Sequence, residues 1–195
     1  MLFTPKIQKA VIRSAILHQS QRRKGTPIPY IIHLYSVALI LSDYIDDEDI
    51  IVAGLLHDIL EDVPNYSGDD MKKEFGEKVY KIVKEVSEDK DPNNKGENKK
   101  VTWQKRKEDY LFTLKNDSFE AMMVCCADKI HNLLSLIEAY KEQGDDLWNK
   151  FNAPKDKQMW FYEEILNILK NRLNNDIVKE LDRIYSEAKK LFLIL

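Results

Sequence analysis

Apolar residues recur at three- and four-residue spacing along almost the whole of this chain. Such spacing gathers them on one face of an α-helix, whereas the alternation typical of half-buried strands is weak. Glycine and proline, which interrupt helices, each occur only six times. The pattern therefore predicts an all-α fold of about nine or ten helices. We expect helices over residues 5–22, 30–44, 48–61, 69–74, 76–87, 102–116, 118–140, 145–151, 156–172 and 174–192.

The length of the chain, 195 residues, is in the usual range for one domain and can bury a core without disulfides or structural zinc. Its two cysteines, Cys125 and Cys126, are adjacent in an apolar stretch, which favours reduced core thiols over a disulfide. No apolar run approaches the ~20 residues that cross a bilayer. We therefore expect a single domain in a cytoplasmic protein.

The charged side chains describe an ordinary protein surface. The formal net charge is −3, and Lys, Arg, Asp and Glu are interspersed along the chain. This balance provides no electrostatic attraction toward duplex nucleic acid or an anionic membrane, so we expect neither as a partner. The apolar ending at residues 190–195 can pack on the domain itself or on a second subunit, which leaves a homo-oligomer open.

Residues 88–100 have no apolar side chain and contain several helix breakers, so a surface loop is predicted there. Loops of this length often cover a functional site, but many are solvated connectors. The sequence leaves both readings of this loop open.

Ionisable residues follow directly on the apolar run 50–56. His57 and Asp58 come first, and Glu61 and Asp62 follow one turn later. Moving a carboxylate out of water is unfavourable by several kcal/mol unless it is paired or bound to a cation. These acids therefore indicate a compensating positive charge, which we take to be a metal ion. Neighbouring residues on a helix diverge by ~100°, so His57 and Asp58 can share one ion only if their helix approaches it edge-on.

His33 and Asp128 interrupt the apolar stripes of two other predicted helices. One histidine on an apolar face is more often a core residue than a ligand, but together with His57 and Asp58 the pattern favours a His₂Asp₂ metal site. Mixed imidazole and carboxylate ligands without thiolate favour a six-coordinate ion such as Mn²⁺. Fe²⁺, Co²⁺, Zn²⁺ and Mg²⁺ are the alternatives.

Glu61 and Asp62 are the candidate catalytic residues. A water activated by a metal ion needs a base to orient or deprotonate it, and a leaving oxygen needs an acid; paired carboxylates can do both. The alternative is an acidic pair that closes a helix before Pro64. Acids at a helix C-terminus oppose the macrodipole, which weakens that alternative.

Two polar groups of residues suggest a substrate. Asn132 and Ser135 lie four and seven residues after Asp128 and form a polar stripe on an otherwise apolar helix. The basic run 22–24 precedes Gly25 at the predicted end of the first helix. Its cations either complement the helix dipole or bind a phosphorylated ligand, and the sequence favours neither.

Taken in order, these motifs resemble those of the HD-domain phosphohydrolases. The similarity is strongest to the hydrolase domain of the RelA/SpoT alarmone enzymes in its stand-alone form, a group that includes the metazoan SpoT homologues. It covers roughly residues 10–140, which leaves 141–195 as a helical C-terminal extension of one HD domain. The matching segments are residues 22–24, 29–33, 55–62, 75–76 and 127–132.

The resemblance implies an all-α HD fold that removes the 3′-pyrophosphate from guanosine tetra- or pentaphosphate, giving GDP or GTP and pyrophosphate. It implies Mn²⁺ held by His33, His57, Asp58 and Asp128, with Glu61 and Asp62 activating or positioning the attacking water. The substrate-binding residues that we predict with its help are Arg23, Lys24, Tyr30, Asn132, Ser135, Lys155 and Tyr162.

The residues at 133–134 depart from this family pattern. Leu133 and Leu134 stand where the long enzymes often have a basic residue, so the nucleotide base and its phosphates can be held differently. One alternative is therefore an HD phosphohydrolase of another nucleotide, such as an adenine alarmone, the 2′-phosphate of NADPH or a nucleoside monophosphate. The other is an antitoxin-like module that binds a nucleotide or a partner without turnover.

Overall fold

The structure is a computed structural model that describes residues 3–24, 26–88 and 101–193. Within these ranges it contains ten α-helices, one 3₁₀ helix over Gly144–Lys150, and an isolated bridge between Arg22 and Pro29 as its only β-structure. The predicted all-α fold is confirmed. The helices are α1 Pro5–Leu17, α2 Ile31–Tyr44, α3 Glu48–Leu56, α4 Ile59–Asp62, α5 Gly68–Phe75, α6 Glu77–Val86, α7 Trp103–Leu114, α8 Phe119–Gln143, α9 Lys155–Arg172 and α10 Ile177–Leu193.

The first helix ends earlier than predicted. α1 stops at Leu17, and His18 closes it with its main-chain N–H bonded to Ser14 O at 3.0 Å. The basic run 22–24 therefore lies several residues beyond the helix. Because the macrodipole acts only within the last turn, it does not account for these cations. The explanation by a helix end was wrong, and the explanation by a phosphorylated ligand remains.

The helices fall into two compact units. The first unit comprises Met1–Glu88 and Asp117–Asp128, and the second unit comprises Asp89–Asn116 and Lys129–Leu195. Helix α8 contributes its first part to the first unit and the rest to the second. The single domain over residues 1–195 stays a prediction, and so does its division at residue 140.

Helix α3 is the centre of the first unit. Every residue from Ile50 to Leu56 is buried, and the helix packs against α1, α2 and α6. A Cβ atom at Gly54 would lie 2.5 Å from Leu41 Cδ1 and 3.4 Å from Val37 Cγ1 on α2. Glycine therefore allows α3 to come this close to α2 without a shift of the buried Leu41 side chain. The close approach brings together α2, which carries His33 in its first turn, and α3, which ends directly before His57.

A charged cap fixes the start of α3. Asp47 Oδ1 accepts hydrogen bonds from the main-chain N–H groups of Asp49 at 2.8 Å and Ile50 at 3.3 Å. Its other oxygen, Oδ2, pairs with Lys78 Nζ of α6 at 2.8 Å. Burial alone would raise the pKa of Asp47, but the Lys78 hydrogen bond and the two N–H groups lower it below its ordinary value. The carboxylate thus ties the first turn of α3 to α6.

In the second unit, α9 packs against α7 and α10. The rings of Trp103 and Tyr110 meet Phe161 at centroid distances of 6.2 and 5.7 Å. Phe192, near the chain end, is buried with its ring 5.2 Å from Trp148, so this part of the apolar ending packs within the unit.

Three further expectations concern the rest of the chain. Both cysteines are buried thiols, as predicted. No helix in the described ranges is long and apolar enough to cross a membrane. The predicted loop at 88–100 lies, apart from Glu88, outside the described residues.

Candidate metal centre

His57 and Asp58 lie at a break between two helices. One continuous helix was predicted over residues 48–61, but α3 ends at Leu56 and α4 begins at Ile59. The backbone of Asp58, at φ −93° and ψ −5°, lies in the bridge region that many active-site residues occupy. The main-chain carbonyl of Asp58 accepts the N–H of Asp62 at 2.9 Å, which starts α4. His57 and Asp58 therefore lie in a turn, and not on one helix that approaches the ion edge-on as predicted.

The structure brings all four predicted ligands together in the first unit. His33 Nε2 lies 3.1 Å from Asp128 Oδ1 and 3.6 Å from Asp58 Oδ2. His57 Nε2 lies 3.1 Å from Asp58 Oδ2 and 3.8 Å from Asp128 Oδ1. One possible ligand atom from each of His33, His57 and Asp58 lies within 4.8 Å of the others. We call these four residues the ligand quartet.

The hydrogen bonds of His57 show which ring nitrogen faces the quartet. Its Nδ1 lies 2.9 Å from Gly54 O, and because a carbonyl only accepts, Nδ1 carries the proton. The other nitrogen, Nε2, is buried and forms no well-directed hydrogen bond with a described residue. A buried nitrogen left in this state is unfavourable, and a bound cation would satisfy it.

The electrostatics of the quartet also demand a positive charge. Burial lowers the pKa of His33. Burial would also lower the pKa of His57, but the carboxylates of Asp58 and Asp128 raise it well above its ordinary value. Burial would raise the pKa of Asp58, but the two histidines lower it. The carboxylates of half-buried Asp58 and buried Asp128 thus hold a proton on His57 or, equally, attract a cation. Two nitrogen and two oxygen donors fit a divalent metal.

Tyr30 contacts the quartet directly, which the sequence did not indicate. Its hydroxyl donates to Asp58 Oδ2 at 2.7 Å. Its ring stacks on His18 at 5.3 Å and meets His33 edge-on at 5.7 Å. Burial, and after it the charge of Asp58, raise the pKa of Tyr30, so the hydroxyl remains a donor. The predicted contact of Tyr30 with substrate stays a prediction.

The segment after α1 supports this arrangement through residues that sequence reasoning missed or left ambiguous. His18 is buried, with Nδ1 at 2.5 Å from Gln21 Oε1. Gln21 Nε2 donates to the main-chain oxygen of Asp62 at 3.1 Å, and Gln21 O accepts the N–H of Tyr30 at 3.0 Å. A glutamine in an irregular segment has no periodic signal, so no pattern could have identified it.

The two candidate catalytic carboxylates lie on α4, directly after the turn. Glu61 Oε1 accepts the main-chain N–H of Glu88 at 2.8 Å. Glu61 is half-buried, whereas Asp62 is exposed. The hydrogen bond from Glu88 fixes one oxygen of Glu61, and the catalytic role of the pair stays a prediction.

Arg23 and Lys24, like Tyr30, are predicted substrate residues that belong to the first unit. The Arg23 guanidinium lies over the Tyr30 ring at 5.5 Å from its centroid. Main-chain bonding between Arg23 N and Ile28 O, at 2.9 Å, shapes the loop that carries Arg23 and the exposed Lys24. The other predicted substrate residues belong to the second unit, where their role stays a prediction: Asn132, Ser135, Lys155 and Tyr162.

Comparison with protein families identifies the architecture around this quartet. Residues 10–157 match the family model described as "HD domain". The chain belongs to the HD domain family. Members of this family hold a divalent metal, in keeping with the His and Asp donors of this HD chain.

Several relatives resemble this HD chain over most of its length. The guanosine-3′,5′-bis(diphosphate) 3′-pyrophosphohydrolase MESH1 of Drosophila melanogaster is 34% identical over 134 residues, which are 67% of this chain and 69% of MESH1. The protein of the same name from Xenopus tropicalis is 35% identical over 67% of this chain and 69% of its own. A guanosine-3′,5′-bis(diphosphate) 3′-pyrophosphohydrolase of Borreliella burgdorferi is 32% identical over 71% of this chain but only 20% of its own length.

Two solved structures share the fold of this HD chain. One, described as "A metazoan ortholog of SpoT hydrolyzes ppGpp and plays a role in starvation responses", has a TM-score of 0.75 and 26% identity over 96% of this chain and 97% of its own. The other, lmo0812 from Listeria monocytogenes EGD-e, has a TM-score of 0.68 and 29% identity over 82% of this chain and 98% of its own.

Proposed function

We propose that this HD chain hydrolyses guanosine tetra- and pentaphosphate alarmones, releasing the 3′-pyrophosphate and leaving GDP or GTP. The observation that carries the proposal is the ligand quartet, in which His33 Nε2 and His57 Nε2 each lie within 3.8 Å of both facing carboxylates. The relatives that share this region over most of their own length are named for that reaction.

The metal in this proposal is Mn²⁺, held by His33, His57, Asp58 and Asp128. Imidazole and carboxylate donors without thiolate favour Mn²⁺ over softer ions. The alternative ions to compare with it are Fe²⁺, Co²⁺, Zn²⁺ and Mg²⁺. When bound, a divalent ion lowers the pKa of water and offsets negative charge at the phosphorus under attack.

Glu61 and Asp62 orient the attacking water and accept its proton. They lie on α4, one turn after the metal ligands His57 and Asp58, so the four groups share a short stretch of backbone. The main-chain N–H of Glu88 restrains the Glu61 carboxylate, which lowers the entropy that is lost when the water is aligned. General base catalysis of this kind contributes about 10²–10⁴-fold to the rate.

The nucleotide is held by cationic and polar side chains. Arg23 stacks on Tyr30, and its guanidinium can make two parallel hydrogen bonds to a phosphate. Lys24 follows it on the same loop. We also propose Asn132 and Ser135 as substrate residues, by their match to positions of the alarmone hydrolases, and Lys155 and Tyr162, by the resemblance of their segment to bacterial small HD proteins.

A different nucleotide is the second candidate substrate. Leu134 is exposed and apolar, where the long enzymes often have a basic residue. An adenine alarmone, a 2′-phosphorylated dinucleotide such as NADPH, or a nucleoside monophosphate would use the same metal chemistry. The alternative that is not an enzyme is a module that binds a nucleotide or a partner without turnover.

The test is release of pyrophosphate or phosphate by metal-stripped full-length protein, with Mn²⁺ added back. Guanosine tetraphosphate, adenosine 3′-pyrophosphates, NADPH and nucleoside monophosphates are compared. We expect Mn²⁺-dependent pyrophosphate release from the guanosine compound and its loss in His57→Ala. If pyrophosphate or phosphate is released only from another nucleotide, that nucleotide is the substrate and the proposed metal chemistry stands. If no compound is turned over, the binding module is favoured.

A further inference from the structure

We propose that Tyr30 is a positioning residue of the metal centre, whose hydroxyl holds the Asp58 carboxylate in the orientation that binds the cation. This inference rests on the metal site of the proposed function. It differs from the predicted role of Tyr30, because it places the action of the hydroxyl on a metal ligand instead of on the nucleotide.

The position of the hydroxyl carries the first step. Asp58 Oδ2 is the carboxylate oxygen that lies 3.1 Å from His57 Nε2 and 3.6 Å from His33 Nε2. The Tyr30 hydroxyl donates to this same oxygen at 2.7 Å. A carboxylate oxygen has two lone pairs, so one can accept the hydroxyl proton while the other faces a cation. The hydrogen bond thus selects which oxygen of Asp58 is presented to the histidines.

The setting of Asp58 makes such a restraint necessary. Asp58 lies in the turn between α3 and α4, and its side chain makes no cap hydrogen bond to α4. A carboxylate whose rotation is unrestrained loses conformational freedom when it binds a cation, and a hydrogen bond made beforehand removes that loss. Restraints of this kind on metal ligands typically change metal affinity by about 10–100-fold.

Tyr30 is itself held on three sides, which makes its hydroxyl a fixed donor. Its ring is stacked on buried His18 at an interplanar angle of 23° and meets His33 at 69°. Its main-chain N–H donates to Gln21 O at 3.0 Å. Because the ring is fixed by its neighbours, replacing Tyr30 by Phe removes the hydroxyl and retains the packing.

The experiment compares Tyr30→Phe with Tyr35→Phe. Tyr35 lies on α2 in the same unit, and its hydroxyl donates to the main-chain oxygen of Val11 at 3.3 Å instead of to a ligand. Each variant therefore loses one tyrosine hydroxyl. Mn²⁺ affinity is measured on full-length protein from the spin-resonance signal of unbound Mn²⁺, which does not depend on turnover. The unfolding midpoint of each metal-free protein is measured alongside.

We expect Tyr30→Phe to bind Mn²⁺ about 10–100-fold more weakly, with an unfolding midpoint close to that of Tyr35→Phe and an unchanged KM at saturating Mn²⁺. Tyr35→Phe should bind Mn²⁺ as the parent does. Parental Mn²⁺ affinity in Tyr30→Phe would overturn the inference, and a raised KM in that case would assign the hydroxyl to the substrate.

Asp58→Asn distinguishes failure of this inference from failure of the proposed metal site. If Asp58→Asn loses Mn²⁺ binding while Tyr30→Phe retains it, the site stands and only the role of Tyr30 fails. If Asp58→Asn binds Mn²⁺ with parental affinity, Asp58 is not a ligand, and the quartet fails together with the inference.

Discussion

A substitution at Glu61 should change the rate of hydrolysis without changing metal binding. Its carboxylate lies one turn beyond the quartet and accepts the N–H of Glu88. We expect Glu61→Gln to lower kcat by about 10²–10⁴-fold, because an amide cannot accept the proton of the attacking water. Mn²⁺ affinity should be retained. Steady-state kinetics and a metal-binding titration on the same preparation measure the two quantities.

The matched control for Glu61 is Glu85→Gln. Glu85 also accepts a main-chain N–H, that of Ser118 at 2.9 Å, so both changes replace a carboxylate that restrains the backbone. Only Glu61 lies on the helix that follows the ligands. Equal kcat values for the two variants would remove Glu61 from the catalytic machinery.

At the scale of single residues, the sequence predicted the quartet because each member is an ionisable group in an apolar stripe. That signal arises from the energetics of burial and needs no knowledge of the fold. The partner of Tyr30 could not be predicted in this way. A tyrosine just before a helix is common, and its contact with Asp58 depends on how α2 packs against α3.

Among the helices, α2 and α3 approach each other closely at Gly54. A Cβ at this position would lie 2.5 Å from Leu41 Cδ1. We expect Gly54→Ala to lower the free energy of unfolding by about 1–3 kcal/mol through overpacking, despite the better helix propensity of alanine. Urea unfolding measures this change. Mn²⁺ affinity should also fall, because the separation of His33 and His57 follows the separation of these helices.

A double-mutant cycle with Leu41→Ala identifies the cause of the Gly54 effect. Leu41→Ala removes the atom that the new Cβ would meet. Gly54→Ala should therefore be less destabilising in the Leu41→Ala background than in the parent. Equal effects in both backgrounds would show that the close approach to Leu41 is not what requires glycine at position 54.

The start of α3 gives a prediction about pH. Asp47→Ala removes the cap and should lower the free energy of unfolding at neutral pH by about 1 kcal/mol. Since the pKa of Asp47 is lower in the folded protein than in the unfolded chain, its contribution is present above an ordinary aspartate pKa and is lost as the pH falls through the folded value. The parent and Asp47→Ala should therefore converge in acid.

Chemical unfolding at a series of pH values, from neutral down to the most acidic pH at which the parent is still folded, checks this convergence. The difference should begin to shrink below an ordinary aspartate pKa of about 3.9. The exposed neighbour Asp46 supplies the control, and Asp46→Ala should differ little from the parent at any pH. A stability difference for Asp47→Ala that remained constant across the range would mean that the charge of the carboxylate contributes nothing.

At the scale of the elements, periodicity predicted nearly every helix and failed at two ends. The apolar pattern continues through residues 57–58 without a glycine or proline, so the break between α3 and α4 has no local signal. It arises where His57 and Asp58 meet side chains from other helices. α1 likewise ends at buried His18, where the chain leaves the helix. Residues 18–22 contain no helix breaker, so the sequence does not indicate this end.

For the whole molecule, metal binding should couple to unfolding. A ligand that binds only the folded state stabilises it by about 2.7 kcal/mol at one hundred times its Kd. We expect Mn²⁺ to raise the unfolding midpoint of metal-stripped protein and a chelator to reverse the shift. His33→Ala should abolish the shift, whereas His131→Ala, which removes a histidine outside the quartet, should retain it. Equal shifts in both variants would place the metal elsewhere.

The fold class and family followed from helical periodicity and from the order of the motifs. The division into two units did not. The boundary at Asp128 falls inside the continuous helix α8, and the apolar pattern of that helix shows no change at this point. The division into units depends on contacts between residues that are far apart in the chain. The apolar periodicity of a single helix contains no information about such contacts.

The hydrogen bond from Glu88 to Glu61 has a consequence for sequence variation. Because the donor is a peptide N–H, every residue type at position 88 except proline can supply it. A saturation library at this position, scored for hydrolysis, should therefore tolerate acidic, basic, apolar and small side chains and lose activity at Glu88→Pro. If so, the amino-acid profile of this position would look uninformative although its backbone takes part in the active site.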